Sequence, residues 1–437
     1  MKSPSAKELI QGIPSPFIED LLEIAKTVQS SGGKSYLVGG SVRDLVLGKT
    51  PHEYDIAVSL LPEHIQKLFR RVVPTGIKHG TVTVLIKDRS YELTTFRKDE
   101  EYKDGRRPEQ VSFGVSLSED LKRRDFTMNA LALDILSEQL IDEHDGLKDI
   151  SNKTIRTIGA ARARFEEDGL RPVRAVRFVS HLGFTIHPET ALAIIESRSI
   201  IAKVSAERIH DEFLKILKAE DPSLSLLLLR KFGILELFYG KDLYENSNPA
   251  WEEKIKSISE LASEPDYLRI SYFLKLTFGS SAVMDPGKRF CKALRFSNQR
   301  TKDSQFLCSV LESLLSSENS LSSPNGLRKI LLHPIAQYSG KSEIRRFCSE
   351  LASFWKAWTG QEAFWIDRAG QVLEEDPPLL LSDLHLDGTR ILEELPGIPP
   401  KKIGEILRSC LDLILNFPEK NRQGILLEFV KTTYQLD

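Results

Sequence analysis

Two different apolar rhythms divide the chain. Over the first 150 residues, short runs dense in β-branched and aromatic residues recur: SYLVGG (35–40), YDIAVSL (54–60), GTVTVLI (80–86), SYELTTF (90–96) and NALALDIL (129–136). Their length and composition predict strands. PFIEDLLEIAKTVQSSGG (16–33) and LPEHIQKLFRRV (61–72) space their apolar residues as helices do, and Gly32-Gly33 predicts where the first helix ends. Strands and helices mixed at this scale predict an α+β head with a small mixed sheet. From about residue 160 the strand signals fade. ARARFEEDGLRPVRAVRFVSHLGF (161–184), HPETALAIIESRS (187–199), SAERIHDEFLKIL (205–217) and SLSLLLLRKFGILELF (223–238) carry apolar residues three and four apart. That spacing predicts packed helices. SLLSSENSLSSPNG (313–326) reads as a surface loop, and EEDPPLL (374–380) as a break before a last helical unit. The expected division is a head over 1–150, a helical neck over 151–225, a helical body over 226–375 and a helical tail over 376–437.

Composition narrows the class. Sixty Lys and Arg against 62 Asp and Glu leave a net charge of −2 over 437 residues. A polybasic chain that coats nucleic acid is excluded, but a local basic groove is not. No apolar stretch approaches the roughly 18 residues of a spanning helix, and the N-terminus lacks the apolar core of a signal peptide. Cys291, Cys308, Cys348 and Cys410 are widely spaced, with no CxxC pair to suggest zinc or a disulfide scaffold. The expectation is a cytoplasmic protein without a membrane segment.

Chemistry concentrates in the head and neck. YLVGGSVRDLVLG (36–48) sets Gly39-Gly40 after a strand and before a helix, where glycines permit close backbone approach and a helix N-terminus faces phosphate. About a dozen residues later comes Glu53-Tyr54-Asp55. On a strand these two carboxylates share a face. Converging anions raise each other's pKa unless a cation lies between them, and hard oxygens at this spacing suit Mg²⁺ with a triphosphate. Glu92 is a candidate third carboxylate. In FEEDGLRPVRAVRF (165–178), Asp168, Arg171, Arg174 and Arg177 recur every three residues, so on one helix the first three form a patch. A carboxylate beside an arginine matches a nucleobase edge, and further arginines suit phosphate. Pro172 places the start of that helix near Asp168.

G-G-S-V-R-D (39–44), E-Y-D-I-A (53–57), R-R-D-F-T-M-N-A (123–130) and E-E-D-G-L-R-P-V-R-A-V-R-F (166–178), in this order and spacing, closely resemble class II tRNA nucleotidyltransferases and bacterial poly(A) polymerases, members of the DNA polymerase β superfamily. FRKDEEYKDGRRPEQV (96–111) resembles the family's flexible loop, DGLKDISNKTIRTIG (145–159) its head-to-neck connector, VSAERIHDEFLKIL (204–217) the helix closing its neck, and 384–415 the tRNA-binding tail of long CCA-adding members. The resemblance implies a polymerase-β-like head that adds C and A from CTP and ATP to a tRNA 3′ end. It further implies that Gly39, Gly40 and Arg43 contact the triphosphate, that Glu53 and Asp55, with Glu92, form the catalytic acids, and that Glu53 and Asp55 hold Mg²⁺. Arg124 then meets phosphate, Asp125 and Asn129 lie near the ribose, Asp168 and Arg171 read the base, and Arg174 and Arg177 support phosphates. The family has Asp where this chain has Glu53. The longer side chain displaces a ligand of a metal with strict geometry, which would favour Mn²⁺ or lower the rate.

In this scheme the terminal hydroxyl attacks the α-phosphate and pyrophosphate leaves, so positioning and charge stabilisation replace a protein nucleophile. Three other readings compete: a poly(A) polymerase, a partial enzyme adding only A or only CC, and an RNA-binding pseudoenzyme that has lost its metal through Glu53. His210-Asp211 falls within a helical pattern without companion ligands, which argues against a metal phosphohydrolase.

Overall fold

The computed structural model describes residues 4–99, 111–239, 250–283 and 285–434. The chain divides into two compact units, Met1–Phe238 and Tyr239–Asp437.

Among its described residues the first unit has eleven strands: β1 (Ser35–Val38), β2 (Asp55–Val58), β3 (Val72–Gly76), β4 (Thr81–Ile86), β5 (Arg89–Thr95), β6 (Arg97–Asp99), β7 (Val111–Phe113), β8 (Leu131–Asp134), β9 (Gln139–Asp142), β10 (Thr154–Ile155) and β11 (Thr185–Ile186). Seven form one sheet in the order β3-β4-β5-β2-β1-β8-β9. All its pairs are antiparallel except β2 with β5. The five apolar runs are its five inner strands. The sheet is larger than expected because two edge strands join it. VVPTG (72–76) carries a proline and is mostly exposed, and QLID (139–142) is only half-buried, so neither has the apolar density of a core strand. The loop reading over 96–111 falls mainly on 100–110, outside the described residues; its flanks β6 and β7 pair antiparallel.

Helices α1 (Ala6–Gln11), α2 (Phe17–Ser30), α3 (Gly40–Val46), α4 (Pro62–Leu68), α5 (Leu117–Lys122) and α6 (Gly146–Ser151) accompany this sheet. α2 buries Leu21, Ile24, Ala25 and Val28, and its buried Asp20 accepts from Arg89 Nε and from the Tyr91 hydroxyl, both at 2.6 Å, which ties the helix to β5. Val38, Ala57, Phe96, Leu121 and Ala132 form a core cluster beneath the site described below.

The neck contains α7 (Ala161–Glu167), α8 (Arg171–Leu182), α9 (Pro188–Glu196), α10 (Arg198–Ile201), α11 (Ala206–Leu217) and α12 (Ser223–Lys231). The run 161–184 is two helices, not one. A Cβ on Gly169 would stand 2.8 Å from the Ile200 carbonyl oxygen, so the chain turns there at a contact only glycine permits. Arg171 opens α8 and Pro172 is in its first turn, three residues later than Asp168. α11 and α12 both pack on α8.

The second unit is helical throughout its described residues. The helix Asp266–Phe278 is buried along Leu268–Phe278 and is flanked by Asn298–Ser316 and Ile344–Thr359. Trp251, Trp355 and Trp365 are among its fully buried side chains, so these three serve packing, whereas Trp358 is half-buried with the Lys254 ammonium over its ring. The serine-rich stretch is not a simple loop: Ser316 ends a helix, a 3₁₀ turn follows, and Ser323 caps a further short helix. Buried Arg328 donates from Nε to the Leu415 carbonyl (2.8 Å), closing the end of the helix Ile403–Asn416. The cysteines are buried thiols, and burial pushes Cys308 up to about 12. Among the described residues no helix is long and apolar enough to cross a membrane.

Candidate functional site

Sheet register brings the first pieces together. β1 runs antiparallel to β2 with Leu37 opposite Ile56, so the chain leaves β1 at Gly39 beside the start of β2 at Asp55. Gly39 has φ +72, and a Cβ there would lie 3.2 Å from Arg124 Nη1 and 3.6 Å from Asp55 Oδ2. Glycine therefore serves both the turn and the close approach of a carboxylate and a guanidinium. β2 begins only at Asp55, so Glu53 sits in the bend before it rather than on the strand face expected for the pair. Glu92 lies on β5 directly across from Asp55 in the parallel register.

Glu53 and Asp55 are exposed and line a cavity of about 510 Å³, together with Gly39, Gly40, Arg43, Arg124, Asp125, Asn129, Asp168, Arg171, Arg174 and Arg177. Every site residue singled out in the sequence lines this cavity except Glu92. Asp55 opens onto the cavity, yet desolvation by the protein around it raises its pKa above the ordinary carboxylate value; Arg124 opposes the shift and Glu53 adds to it. Glu92 is also raised, by desolvation first and then by the charges of Asp55 and Glu53. The charge of Glu53 thus reaches both Asp55 and Glu92, and that of Asp55 reaches Glu92.

The rest of the cavity is a chain of ion pairs. Arg43 is buried, donating from Nε to Asp44 and from Nη1 to Asn129 Oδ1, each at 2.8 Å. Asn129 donates to Asp125 Oδ1 (3.1 Å), and Arg174 Nε donates to Asp125 Oδ2 (2.8 Å). Burial pulls the Asp125 carboxyl up, but Arg174, Asn129 and Arg171 outweigh it, and its pKa falls from 3.8 to about 2. Asp125 and Asn129 are thus fixed by the protein itself. Below them, buried Asp120 pairs with Arg123 at 2.8 Å and Arg124 at 3.1 Å, aiming Arg124 at the Gly39 turn. Buried Glu212 on α11 stands 2.7 Å from Arg177 Nε. Arg43, Arg174 and Arg177 surround the Phe178 ring at 5.3, 5.8 and 4.3 Å from its centroid, a cation–π arrangement that holds three guanidinium groups near one another.

Asp168 and Arg171 line the same cavity but do not share a helix face. Asp168 is extended, between α7 and α8. Its Oδ1 accepts from the Leu170 N–H at 3.0 Å and its Oδ2 from Arg208 at 2.7 Å. Arg171 is buried and donates from Nη1 to Glu167 (2.5 Å) and to the Arg164 carbonyl, and from Nη2 to the Arg123 carbonyl. The expected pair is adjacent in the cavity wall, each member held by other groups. The physical reason is the Gly169 break, which takes Asp168 off the helix. Sequence reasoning missed Arg123, Phe178, His181 and Arg208 as lining residues. Arg208 and Glu212, four apart on α11, were visible as charges on an amphipathic helix, but nothing local pointed them at residues some 40 positions away.

Two family models match the chain: the poly A polymerase head domain over residues 35–156, and the probable RNA and SrmB-binding site of polymerase A over 183–241. The CCA-adding enzyme of Enterococcus faecalis is 34% identical over 422 residues, covering 96% of this chain and 97% of that protein. The CCA-adding enzyme of Lactobacillus johnsonii is 42% identical over 283 residues, 63% of this chain and 71% of that protein. Among solved structures, the Bacillus stearothermophilus CCA-adding enzyme in complex with CTP superposes with a TM-score of 0.73 at 28% identity, covering 97% of this chain and 98% of that one. With the glycine turn, the acidic strand start and the arginine helix gathered on one cavity, and similarity running through the full length of a relative, this chain belongs to the family of CCA-adding enzymes, a family of nucleotidyltransferases.

Proposed function

We propose that this chain adds C and A, from CTP and ATP, to the 3′ end of tRNA. The observation that carries this reading is the division of one cavity between exposed carboxylates at a strand start and a preorganised set of arginines. Arg43, Arg124, Arg174 and Arg177 bind the nucleotide and primer phosphates, already oriented by Asn129, Asp120, Asp125 and Glu212. Asp168 and Arg171 read the base. Glu53 and Asp55 hold Mg²⁺, or Mn²⁺, with Glu92 behind them on β5. The donor set fits this ion: two hard oxygen ligands that repel each other gain from a cation, and Mg²⁺ commonly takes one or two carboxylates with substrate phosphates and water completing its shell. When bound, the metal would lower the pKa of the attacking hydroxyl and neutralise charge on the leaving phosphates. The protein's own share is alignment and fixed positive charge, which accelerate nucleotidyl transfer without a covalent protein intermediate.

We assign 1–150 as the catalytic head, 151–225 as the neck carrying the base-reading residues, 226–375 as the body and 376–437 as a tRNA-binding tail. The tail assignment is supported by the family-like segment 384–415. A cytoplasmic location is supported by four buried, unpaired thiols. The likeness of residues 35–156 to the poly A polymerase head domain favours poly(A) synthesis as the second reading. Product ends separate the two. Label transfer from CTP and ATP to tRNA lacking its terminal CCA should give three added nucleotides and then stop. Long adenosine tracts would establish the second reading, and no transfer from either nucleotide would make the chain a binding protein.

A further inference from the structure

We infer that Arg208 is a specificity-determining positioning residue, which fixes the orientation of the Asp168 carboxylate so that it accepts from the amino group at position 4 of cytosine or position 6 of adenine, where uracil and guanine carry an oxygen. The inference rests on the reading of Asp168 as the base acceptor.

Asp168 lies in an extended break between helices, where a short side chain would otherwise turn freely. Two anchors hold it. Oδ1 accepts from the Leu170 N–H at 3.0 Å, a local bond that any aspartate at this turn would make. Oδ2 accepts from Arg208 Nη2 at 2.7 Å, and Arg208 comes from α11, a different helix whose place is set by Ile209, Phe213 and Ile216 in the core. Both side chains retain about a fifth to a quarter of their exposure and both line the cavity, so the pair faces a ligand. Arg171 cannot substitute as the anchor, because its bonds run to Glu167 and to the Arg164 and Arg123 carbonyls.

The chemistry follows from what each base presents. Cytosine and adenine offer an exocyclic amino donor where uracil and guanine offer a carbonyl oxygen. An ionised carboxylate accepts and cannot donate, so a fixed carboxylate meets C and A with a hydrogen bond and U and G with repulsion between oxygens. Discrimination of this kind depends on the acceptor staying in place, since a carboxylate free to swing away leaves the wrong base unpenalised.

The test compares the full-length wild type with Arg208→Ala, Arg208→Lys and Asp168→Ala. Single-nucleotide incorporation into tRNA lacking CCA would be followed with CTP against UTP and, on the CC-ended tRNA, ATP against GTP. For Arg208→Ala, the ratio of kcat/KM for correct over incorrect nucleotide should fall about tenfold, near the lower end of what one base contact supplies. Arg208→Lys should recover part of the ratio, because a lysine can reach the carboxylate with one donor but cannot fork. Equal losses for all four nucleotides, or an unchanged ratio in both variants, would overturn the inference. Asp168→Ala separates the two ways of failing. If it relaxes discrimination while the Arg208 variants do not, Arg208 is merely structural. If it leaves discrimination intact, Asp168 is not the acceptor and the inference falls with that reading. Should Arg208→Ala fail to fold, as thermal melting would show, the ratio in Arg208→Lys decides alone.

Discussion

On the helix side of the cavity, carboxylates are matched to cations: Asp125 to Arg174, Asp168 to Arg208, Glu212 to Arg177. On the sheet side, Glu53 and Asp55 line the cavity with Glu92 across from Asp55 on β5, and Arg124 is the counterweight felt at Asp55. The consequence appears in the opposite directions of their titration, with Asp125 drawn down to about 2 while Asp55 is pushed up. A site whose acids were all neutralised internally would have no affinity left for an external cation. One whose arginines were all unpaired would be costly to fold and slow to orient. The cavity combines a finished scaffold of positive charge with an unfinished acidic patch, and the second is the part we propose to hold a metal.

The largest expected effect breaks the acidic side. Asp55→Asn should reduce transfer about a thousandfold, the upper scale on which removing a transition-state charge contact acts. Because a raised pKa means that the fold disfavours the ionised carboxylate, the same substitution should leave thermal stability at pH 7 unchanged or higher. Undiminished turnover, or a collapse of stability alongside the rate, would remove Asp55 from the metal site.

Asp125→Asn should do the reverse to stability. The Asp125 carboxyl sits at about 2 in the fold against 3.8 as its ordinary value. The depressed pKa means that ionised Asp125 stabilises the fold by about 2 kcal/mol at neutral pH. That contribution is complete above the unfolded value and disappears as pH falls through 3.8 towards 2. Urea midpoints from pH 7 downward should therefore show a gap between wild type and variant that is constant above about pH 5 and narrows below about pH 4. A gap independent of pH would mean that the Asn side chain misfits for reasons other than charge.

These two predictions also mark how much could be read before the structure. The inner strands were legible because each is a dense apolar run between turns, and the acidic strand start and arginine series were legible as motifs. The edge strands were not, because exposure and Pro74 strip them of that density. The helix boundary near Gly169 was legible only roughly: Pro172 placed it near Asp168, it falls at Arg171, and the glycine itself is explained only by the backbone of Ile200. The partners of the motif residues were hidden for the same reason. Arg208 reaches the cavity, and Glu212 reaches Arg177 behind it, by the packing of α11 on α8, a fact of tertiary structure with no local signature.

A smaller effect sharpens the helix side. Arg171→Ala should lower discrimination of CTP over UTP about tenfold, within the 1–3 kcal/mol of a bidentate base contact. Its loss also leaves two backbone carbonyls without their donor and Glu167 with Arg164 alone, so the rate will fall as well. The ratio is the diagnostic measurement: a lower rate with unaltered selectivity would assign Arg171 to phosphate or to scaffolding rather than to the base.

The smallest effect comes from Glu53→Asp, and it asks how finished the acidic side is. The substitution withdraws the carboxylate by about 1.5 Å, one C–C bond. Glu53 is exposed and lies in the bend before β2, not in the sheet, so its backbone is not held by strand pairing as that of Asp55 is. An ion that demands near-ideal octahedral geometry can draw such a residue into place. Mg²⁺-supported transfer should accordingly stay within about threefold of wild type, any change being upward, and the advantage of Mn²⁺ over Mg²⁺ should shrink. Initial rates with each metal on the same trimmed tRNA give the comparison directly. A drop of about tenfold with Mg²⁺, in a variant that melts as the wild type does, would show a carboxylate position as tightly specified as those of Asp125 and Glu212. The contrast between a finished and an unfinished side of the cavity would then be wrong.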